Sequence, residues 1–260
     1  MPKIRLDVAL LNNGLAPTRE KAQALIMAGT ILVDGQKKTK PGDLVPETAV
    51  LIQLGKPLPY VSRGGEKLAG AWEAFGFPIA DKVALDVGIS TGGFTDFLLQ
   101  NGAKTVFGVD VGYGQLDLKI RNNPNVLLLE KTNARHLSAK DLETLATKHH
   151  HPATLYQDIR LVVMDVSFIS VTKILPGLSK FLSPETDYIV LIKPQFEAEK
   201  SAVGKGGIIR DETEQIRIAD AVVATLAQSG FTELHRCPSP ILGTKGNREF
   251  VSWLKQTPAN

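Results

Sequence analysis

Two carboxylates and a set of glycines stand first among the residues whose types and spacing could do chemistry. Asp86 lies in the apolar run Val83–Val87 and just precedes Gly88-Ile89-Ser90-Thr91-Gly92-Gly93, a turn that leads into the helical pattern Phe94 to Gln100. Glycines let backbone approach a neighbour closely, and a helix opening after such a turn leaves N–H groups free for a ligand. Gly88, Ser90, Thr91, Gly92 and Gly93 are therefore candidate ligand contacts. Their G-x-x-x-G-G spacing is not the G-x-G-x-x-G of dinucleotide-binding turns. A carboxylate at Asp86, where a pyrophosphate would otherwise sit, suits a cation such as the amino group of a methionine moiety. Asp110, 24 residues on at the end of the next apolar run, is placed for a ribose hydroxyl pair. Together the two acids favour S-adenosylmethionine over a nicotinamide cofactor. Asn133, after the third run, is in reach of an adenine edge, although a loop Asn also serves as a turn residue.

A second set of ionisable residues stands near the ends of later runs. Asp165 lies in Val163-Met164-Asp165-Val166-Ser167-Phe168-Ile169-Ser170 and Lys193 in Leu191-Ile192-Lys193-Pro194-Gln195-Phe196-Glu197. A lysine closing an apolar strand must find a charge partner or lose its proton. Lys67 sits in Val61-Ser62-Arg63-Gly64-Gly65-Glu66-Lys67-Leu68, and Glu249 in Gly246-Asn247-Arg248-Glu249-Phe250. Other chemistries find no support. His149-His150-His151 reads as a solvated loop and not a metal site, since consecutive histidines do not easily face one ion. No G-x-S-x-G is present, and Val203-Gly204-Lys205-Gly206-Gly207 lacks the remainder of a phosphate-binding loop. That glycine segment is expected to be a mobile cover over a substrate or a plain connection.

The elements that must position these residues follow from the pattern of apolar runs. Strand-like segments recur at 83–87, 105–110, 126–129, 161–166, 188–193, 232–237 and 249–254, with helical patterns at 94–100, 115–121, 139–148, 171–181 and 211–229. Such alternation with near-continuous apolar strands predicts an α/β fold, doubly wound around a mostly parallel seven-stranded sheet covered on both faces. Ligands in such sheets bind at the carboxyl ends of the strands, where strand order reverses. With 260 residues, 43% of them hydrophobic and 22% charged, the chain can bury a sizeable core and lacks the signature of disorder. The longest aliphatic run, Tyr188 to Ile192, is far short of a membrane span, and the first residues do not read as a secretory signal. One cysteine, Cys237, fits a reducing compartment, so a cytoplasmic protein with no membrane partner is expected.

Charge divides the chain. Residues 1–60 hold eight Lys/Arg against five Asp/Glu, whereas residues 61–260 hold 22 of each. The front segment predicts a helix from Arg5 to Asn13 stopped by Gly14, and a second capped by Thr18 and ended by Gly29. A hairpin through Asp34-Gly35 and a turn-rich β tail follow. The pattern Arg5-Leu6-Asp7, Thr18-Arg19-x-x-Ala22 and Ile31-x-Val33-Asp34-Gly35 resembles the S-four RNA-binding domain over roughly residues 3 to 54. That resemblance implies a small N-terminal α+β RNA-binding domain whose cations meet phosphates, with Arg5, Arg19, Lys21, Lys37 and Lys38 as candidates. Pro57 and Pro59 mark a short stiff linker, giving a domain over 1–56, a linker over 57–62 and a body over 63–260.

The body resembles the TlyA or haemolysin A family, whose methyltransferase domain groups with FtsJ-like RNA ribose methyltransferases. The resemblance rests on YVSRGGEKL, LDVGISTGGFTDFLL, VDVGYGQL, DVSFIS, LIKPQFE, VGKGG and GNREF and covers nearly the whole chain. It implies a Rossmann-like methyltransferase using S-adenosylmethionine on ribosomal RNA or ribosomal subunits, at a 2′-hydroxyl, with cytidine as the target. It also implies a catalytic tetrad of Lys67, Asp165, Lys193 and Glu249. A 2′-hydroxyl is a poor nucleophile, so a group must accept its proton or orient it as it attacks. Lys193 takes that role, supported by Asp165, with Lys67 and Glu249 completing the substrate side. A neighbouring ammonium favours the neutral amine and carboxylates favour the charged one, and this set contains both. Two other function classes stay open: a membrane-lytic protein, read out by liposome leakage, and a non-catalytic RNA-binding assembly factor, read out by RNA affinity without methyl transfer.

Overall fold

The computed structural model describes residues 2–54, 59–198, 204, 206–243 and 246–257, so part of the expected linker, 57 and 58, lies outside the described residues. The chain divides into two compact units, Met1–Pro57 and Leu58–Asn260.

The first unit runs β1 (Lys3–Arg5), α1 (Leu6–Asn12), α2 (Arg19–Met27), β2 (Ile31–Val33), β3 (Gln36–Lys38), β4 (Leu44–Pro46) and β5 (Leu51–Gln53). The first helix begins at Leu6 and not at Arg5, because Lys3–Arg5 is drawn into antiparallel pairing with β4. Thr18 caps α2 by accepting from the Lys21 N–H at 3.3 Å, without the glutamate of a capping box. Asp34 and Gly35 both have positive φ, 49° and 80°, the requirement of a tight primed turn joining β2 to β3. Leu6, Leu10, Ala22, Ile26, Ile31 and Val33 form the core of this unit.

The second unit runs α3 (Gly64–Phe75), β6 (Val83–Val87), α4 (Gly93–Gln100), β7 (Thr105–Val109), α5 (Leu118–Arg121), β8 (Val126–Leu129), α6 (Ala139–Lys148) and β9 (Ile159–Met164). It continues with α7 (Leu175–Leu178), β10 (Asp187–Ile192), α8 (Pro194–Glu197), α9 (Glu212–Gln228), β11 (Phe231–Pro238) and β12 (Phe250–Gln256). The seven strands form one sheet in the order β11-β12-β10-β9-β6-β7-β8. The five strands from β10 to β8 are parallel, and β12 is antiparallel to both its neighbours. Alternation sends Val83, Leu85 and Val87 of β6 into one core and Ala84 into the other, so both faces are covered. The expected helix at 171–181 is interrupted: a 3-10 turn, Val171–Lys173, precedes α7, and Pro176 supplies no N–H to continue the ladder.

The chain passes from β6 through β7 to β8 on one side, then returns to β9 on the other flank of β6. Loops after β6 and β9 therefore part from each other, and a crevice opens at the carboxyl ends of the strands.

Candidate active site

That crevice is a cavity of about 580 Å³, within the usual size for a small-molecule site. Gly88 to Thr91 and Gly93 line it from the turn after β6, and Asp110, Val111 and Gln115 from the loop after β7. Thr132 to Ala134 border it after β8, Asp165 to Ile169 after β9, Lys193 after β10, and Arg63, Gly64 and Lys67 from the start of α3.

The glycine turn is shaped by the protein's own backbone as much as by any ligand. Gly88 has φ 85°, and a Cβ there would stand 2.5 Å from the carbonyl oxygen of Asp165. A Cβ on Gly93 would stand 2.4 Å from Ser62 Oγ and 2.8 Å from the Gly65 nitrogen, so α4 and α3 start in contact. Gly92, with φ 93°, faces Leu116 and does not line the cavity. Asp110 lies at the cavity wall, its two oxygens accepting the N–H groups of Ser90 at 2.8 Å and Gly112 at 2.7 Å. Asn133 lines the cavity while its Oδ1 accepts from the Arg135 N–H at 3.0 Å, which makes it a turn residue as well.

Asp86 is fully buried behind the turn and does not itself line the cavity. Its Oδ2 accepts from Thr95 Oγ at 2.6 Å, and its Oδ1 has no partner among the described residues. Burial pushes its carboxyl up to about 7, against the opposing hydrogen bond from Thr95. A folded-state value above the unfolded one means that the native protein holds the proton more tightly. The contribution of Asp86 to stability is then fully present below about pH 4 and is lost as pH rises to about 7, by up to roughly 4 kcal/mol. Asp86→Asn is expected to flatten this slope, raising Tm more at pH 8 than at pH 5; equal shifts at both values would contradict it.

The four residues named by the motifs meet across the sheet. Lys193 Nζ lies 2.5 Å from Asp165 Oδ1 in an ion pair and donates to Ser167 Oγ at 3.1 Å. Lys67 Nζ donates to Glu249 Oε2 at 2.6 Å and stands 3.8 Å from Asp165 Oδ2. Lys67, Lys193 and Glu249 are buried, at 9%, 8% and 3% exposure, so each charge is matched by the others and not by bulk water. Lys67 and Lys193 line the cavity, whereas Glu249 lies behind Lys67 and holds it.

Several neighbours lie inside the quoted motifs but have no residue type or spacing that singles them out for chemistry. Phe168 is 90% exposed at the cavity rim, with φ 67° and its ring 4.9 Å from that of Phe196. Arg63 lines the same rim and donates to the Leu242 carbonyl at 2.9 Å. Asn247, buried, accepts from the Ile209 N–H and donates to the Gly207 carbonyl, pinning the described part of the 203–207 segment two residues before Glu249. Val203 and Lys205 of that segment lie outside the described residues.

In the first unit Arg5 and Arg19 converge on Asp7, which is fully buried and also accepts from Gln23 and the Val8 N–H, all at 3.0 Å. The Arg5 pair first, despite burial, holds the Asp7 carboxyl far below the usual range. Both guanidinium side chains keep about half their surface exposed, at 45% and 50%. Lys21 is half-buried at the start of α2. Lys37 and Lys38 are consecutive on β3 and so point to opposite faces, with the Lys37 stem lying over Gly29.

Strand order, the strand-end cavity and its lysine–carboxylate set define a methyltransferase of the FtsJ-like class, and the FtsJ-like methyltransferase family model matches residues 60–256. The S4 domain model matches residues 4–51. Hemolysin A of Brachyspira hyodysenteriae is 41% identical over 96% of this chain and 98% of its own length. The 16S/23S rRNA (cytidine-2′-O)-methyltransferase TlyA of Mycobacterium tuberculosis (strain ATCC 25618 / H37Rv) is 40% identical over 97% of this chain and 90% of its own. A solved structure named for a hemolysin of Streptococcus thermophilus superposes with TM-score 0.74 at 38% identity, covering 100% of this chain and 90% of that one. The chain belongs to the TlyA (hemolysin A) family. Among the described residues no helix is long and apolar enough to cross a membrane.

Proposed function

We propose that this protein transfers a methyl group from S-adenosylmethionine to a ribose 2′-hydroxyl of ribosomal RNA, with cytidine as the target nucleoside and the cytoplasm as its place of work. The observation that carries this reading is the joined set of Lys193, Asp165 and Lys67 on the border of the strand-end cavity, with Glu249 behind Lys67. The residues present fit the donor: a glycine turn that lines the cavity, Asp110 at the wall for ribose hydroxyls and Asn133 for the adenine edge, with Asp86 buried behind the turn and not facing the cavity. When bound, that donor supplies a methyl group on a positively charged sulfur. Lys193, fixed by Asp165 and Ser167, accepts the hydroxyl proton or orients the oxygen, and Lys67, held by Glu249, fixes Asp165 from the other side. Arg63 offers a cation at the rim to a phosphate of the same strand. Arg5, Arg19, Lys21, Lys37 and Lys38 supply phosphate contacts from the S4 unit, so RNA affinity falls steeply with salt.

Phe168 supports an unstacked target nucleotide. A bulky residue held at positive φ with its ring in solvent is costly, and an exposed ring beside the reacting groups is a stacking platform for a base. Phe168→Ala is expected to lower kcat/KM for RNA by roughly tenfold to a hundredfold, the worth of one base–aromatic stack, with donor affinity unchanged. Unaltered kcat/KM would remove Phe168 from the substrate site.

The deciding experiment supplies purified protein with methyl-labelled donor and ribosomal RNA or subunits and maps the 2′-O-methyl marks. Label on a ribose oxygen is expected. RNA binding with no transfer would favour an assembly factor instead.

A further inference from the structure

Four separate segments carry the reacting groups: the 165–171 loop, the end of β10, the approach to β12, and α3. The single turn α8, directly after Lys193, touches the first three and reaches Lys67 of α3 only through Glu249. Gln195 Nε2 donates to Glu249 Oε1 at 3.3 Å and so braces the carboxylate that holds Lys67. The Phe196 ring lies 4.9 Å from that of Phe168 and 5.8 Å from Lys193 Nζ, within cation–π range. Glu197 Oε1 accepts from the Val171 N–H at 3.0 Å, directly beside Ser170. The Ser170 hydroxyl meets Thr172, pairing with its Oγ1 and accepting from its N–H, so the loop end turns back on itself beside the glutamate.

A carboxyl in this place is expensive. Glu197 is only partly exposed, burial pushes its carboxyl up, and an alanine or a leucine would be cheaper to pack. What the carboxyl does is anchor the far end of a loop that contains Asp165, Ser167 and the left-handed Phe168. Val171 is also held by its buried side chain and by the Ile174 N–H on its carbonyl, but its own N–H is held by Glu197, so removing the carboxyl frees the loop end that follows the strained Phe168.

We infer that Glu197 is a positioning residue for methyl transfer, setting the 165–171 loop so that Phe168 and Asp165 face the substrate together with Lys193. The inference rests on the proposed methyltransferase reading. Glu197→Ala and Glu197→Asp, which shortens the reach, are expected to lower kcat by roughly tenfold to a hundredfold, the usual consequence of displacing a reacting group by about an ångström. Glu197→Gln, whose carbonyl oxygen still accepts from Val171, is expected to recover most of the activity. Donor affinity by calorimetry is expected to stay within about twofold of wild type, since the cofactor turn is not held by this contact. In a Phe168→Ala background the Glu197→Asp loss is expected to shrink, because part of what Glu197 sets is already gone. Wild-type kcat in Glu197→Asp, no recovery in Glu197→Gln, or full additivity with Phe168→Ala would each overturn the inference. If the wild-type protein itself transfers no methyl group, the methyltransferase reading fails instead, and the two failures are told apart.

Discussion

Lys193→Met is expected to abolish methyl transfer, by roughly a thousandfold or more, while S-adenosylmethionine binds with nearly unchanged affinity. Methionine matches the lysine stem in length, so packing beside β10 is kept and only the amine is lost. The amine has two partners, Asp165 at 2.5 Å and Ser167 at 3.1 Å, and neither belongs to the glycine turn. Asp165 keeps Lys67 at 3.8 Å, and its side chain is 21% exposed, so the orphaned carboxylate can recruit water and the fold survives. Labelled-methyl transfer and calorimetry on the same preparation read both quantities. A companion variant, Lys193→Arg, separates the two roles left open for the amine. Arginine keeps the charge but does not give up its proton near neutrality. Activity in Lys193→Arg would assign orientation of the hydroxyl, and its loss would assign proton acceptance. Turnover in Lys193→Met would refute the assignment of this residue altogether.

Gly88→Ala is expected to damage fold, donor binding and catalysis at once. A side chain at φ 85° costs about 1–2 kcal/mol from the left-handed conformation. Its Cβ would also stand 2.5 Å from the Asp165 carbonyl oxygen, a backbone atom with little room to yield, and such overpacking costs roughly 1–3 kcal/mol more. The sum, roughly 2–5 kcal/mol, corresponds to a Tm lower by about 5–15 °C for a unit of this size. The displaced neighbour is the residue that holds Lys193, so activity falls beyond what lost donor affinity explains. Thermal denaturation, calorimetry and saturating-donor kinetics test the three effects separately. A Gly88→Ala protein with wild-type Tm and affinity would show that the turn relaxes freely and that its contact with Asp165 is incidental.

Both results depend on a feature that is only half visible along the chain. The strands of the sheet are legible because each is a continuous apolar run buried on two faces: 83–87 and 126–129 are found as expected, and α6 spans 139–148 as its period and flanking residues imply. The Thr18 cap and the Asp34-Gly35 turn are legible for the same reason, since each is set by a few adjacent residues. α3 was not anticipated, because Gly64-Gly65 argue against a helix start. Contact with α4 at Gly93 makes small residues necessary there, and that contact belongs to tertiary packing.

The sequence by itself determined the βαβ alternation, the glycine turn between Asp86 and Phe94, and the family to which its motifs belong, all of which are written in neighbouring residues. Only the tertiary structure decided that Lys67 meets Glu249 across 182 positions, that Arg5 and Arg19 share Asp7, and that α8 braces the 165–171 loop. The physical reason is strand order. β12 enters antiparallel beside β10, and β9 returns to the far flank of β6, which brings the ends of distant segments to one edge of the sheet. Periodicity reports which face of an element is buried, and it carries no information about which other element will cover that face.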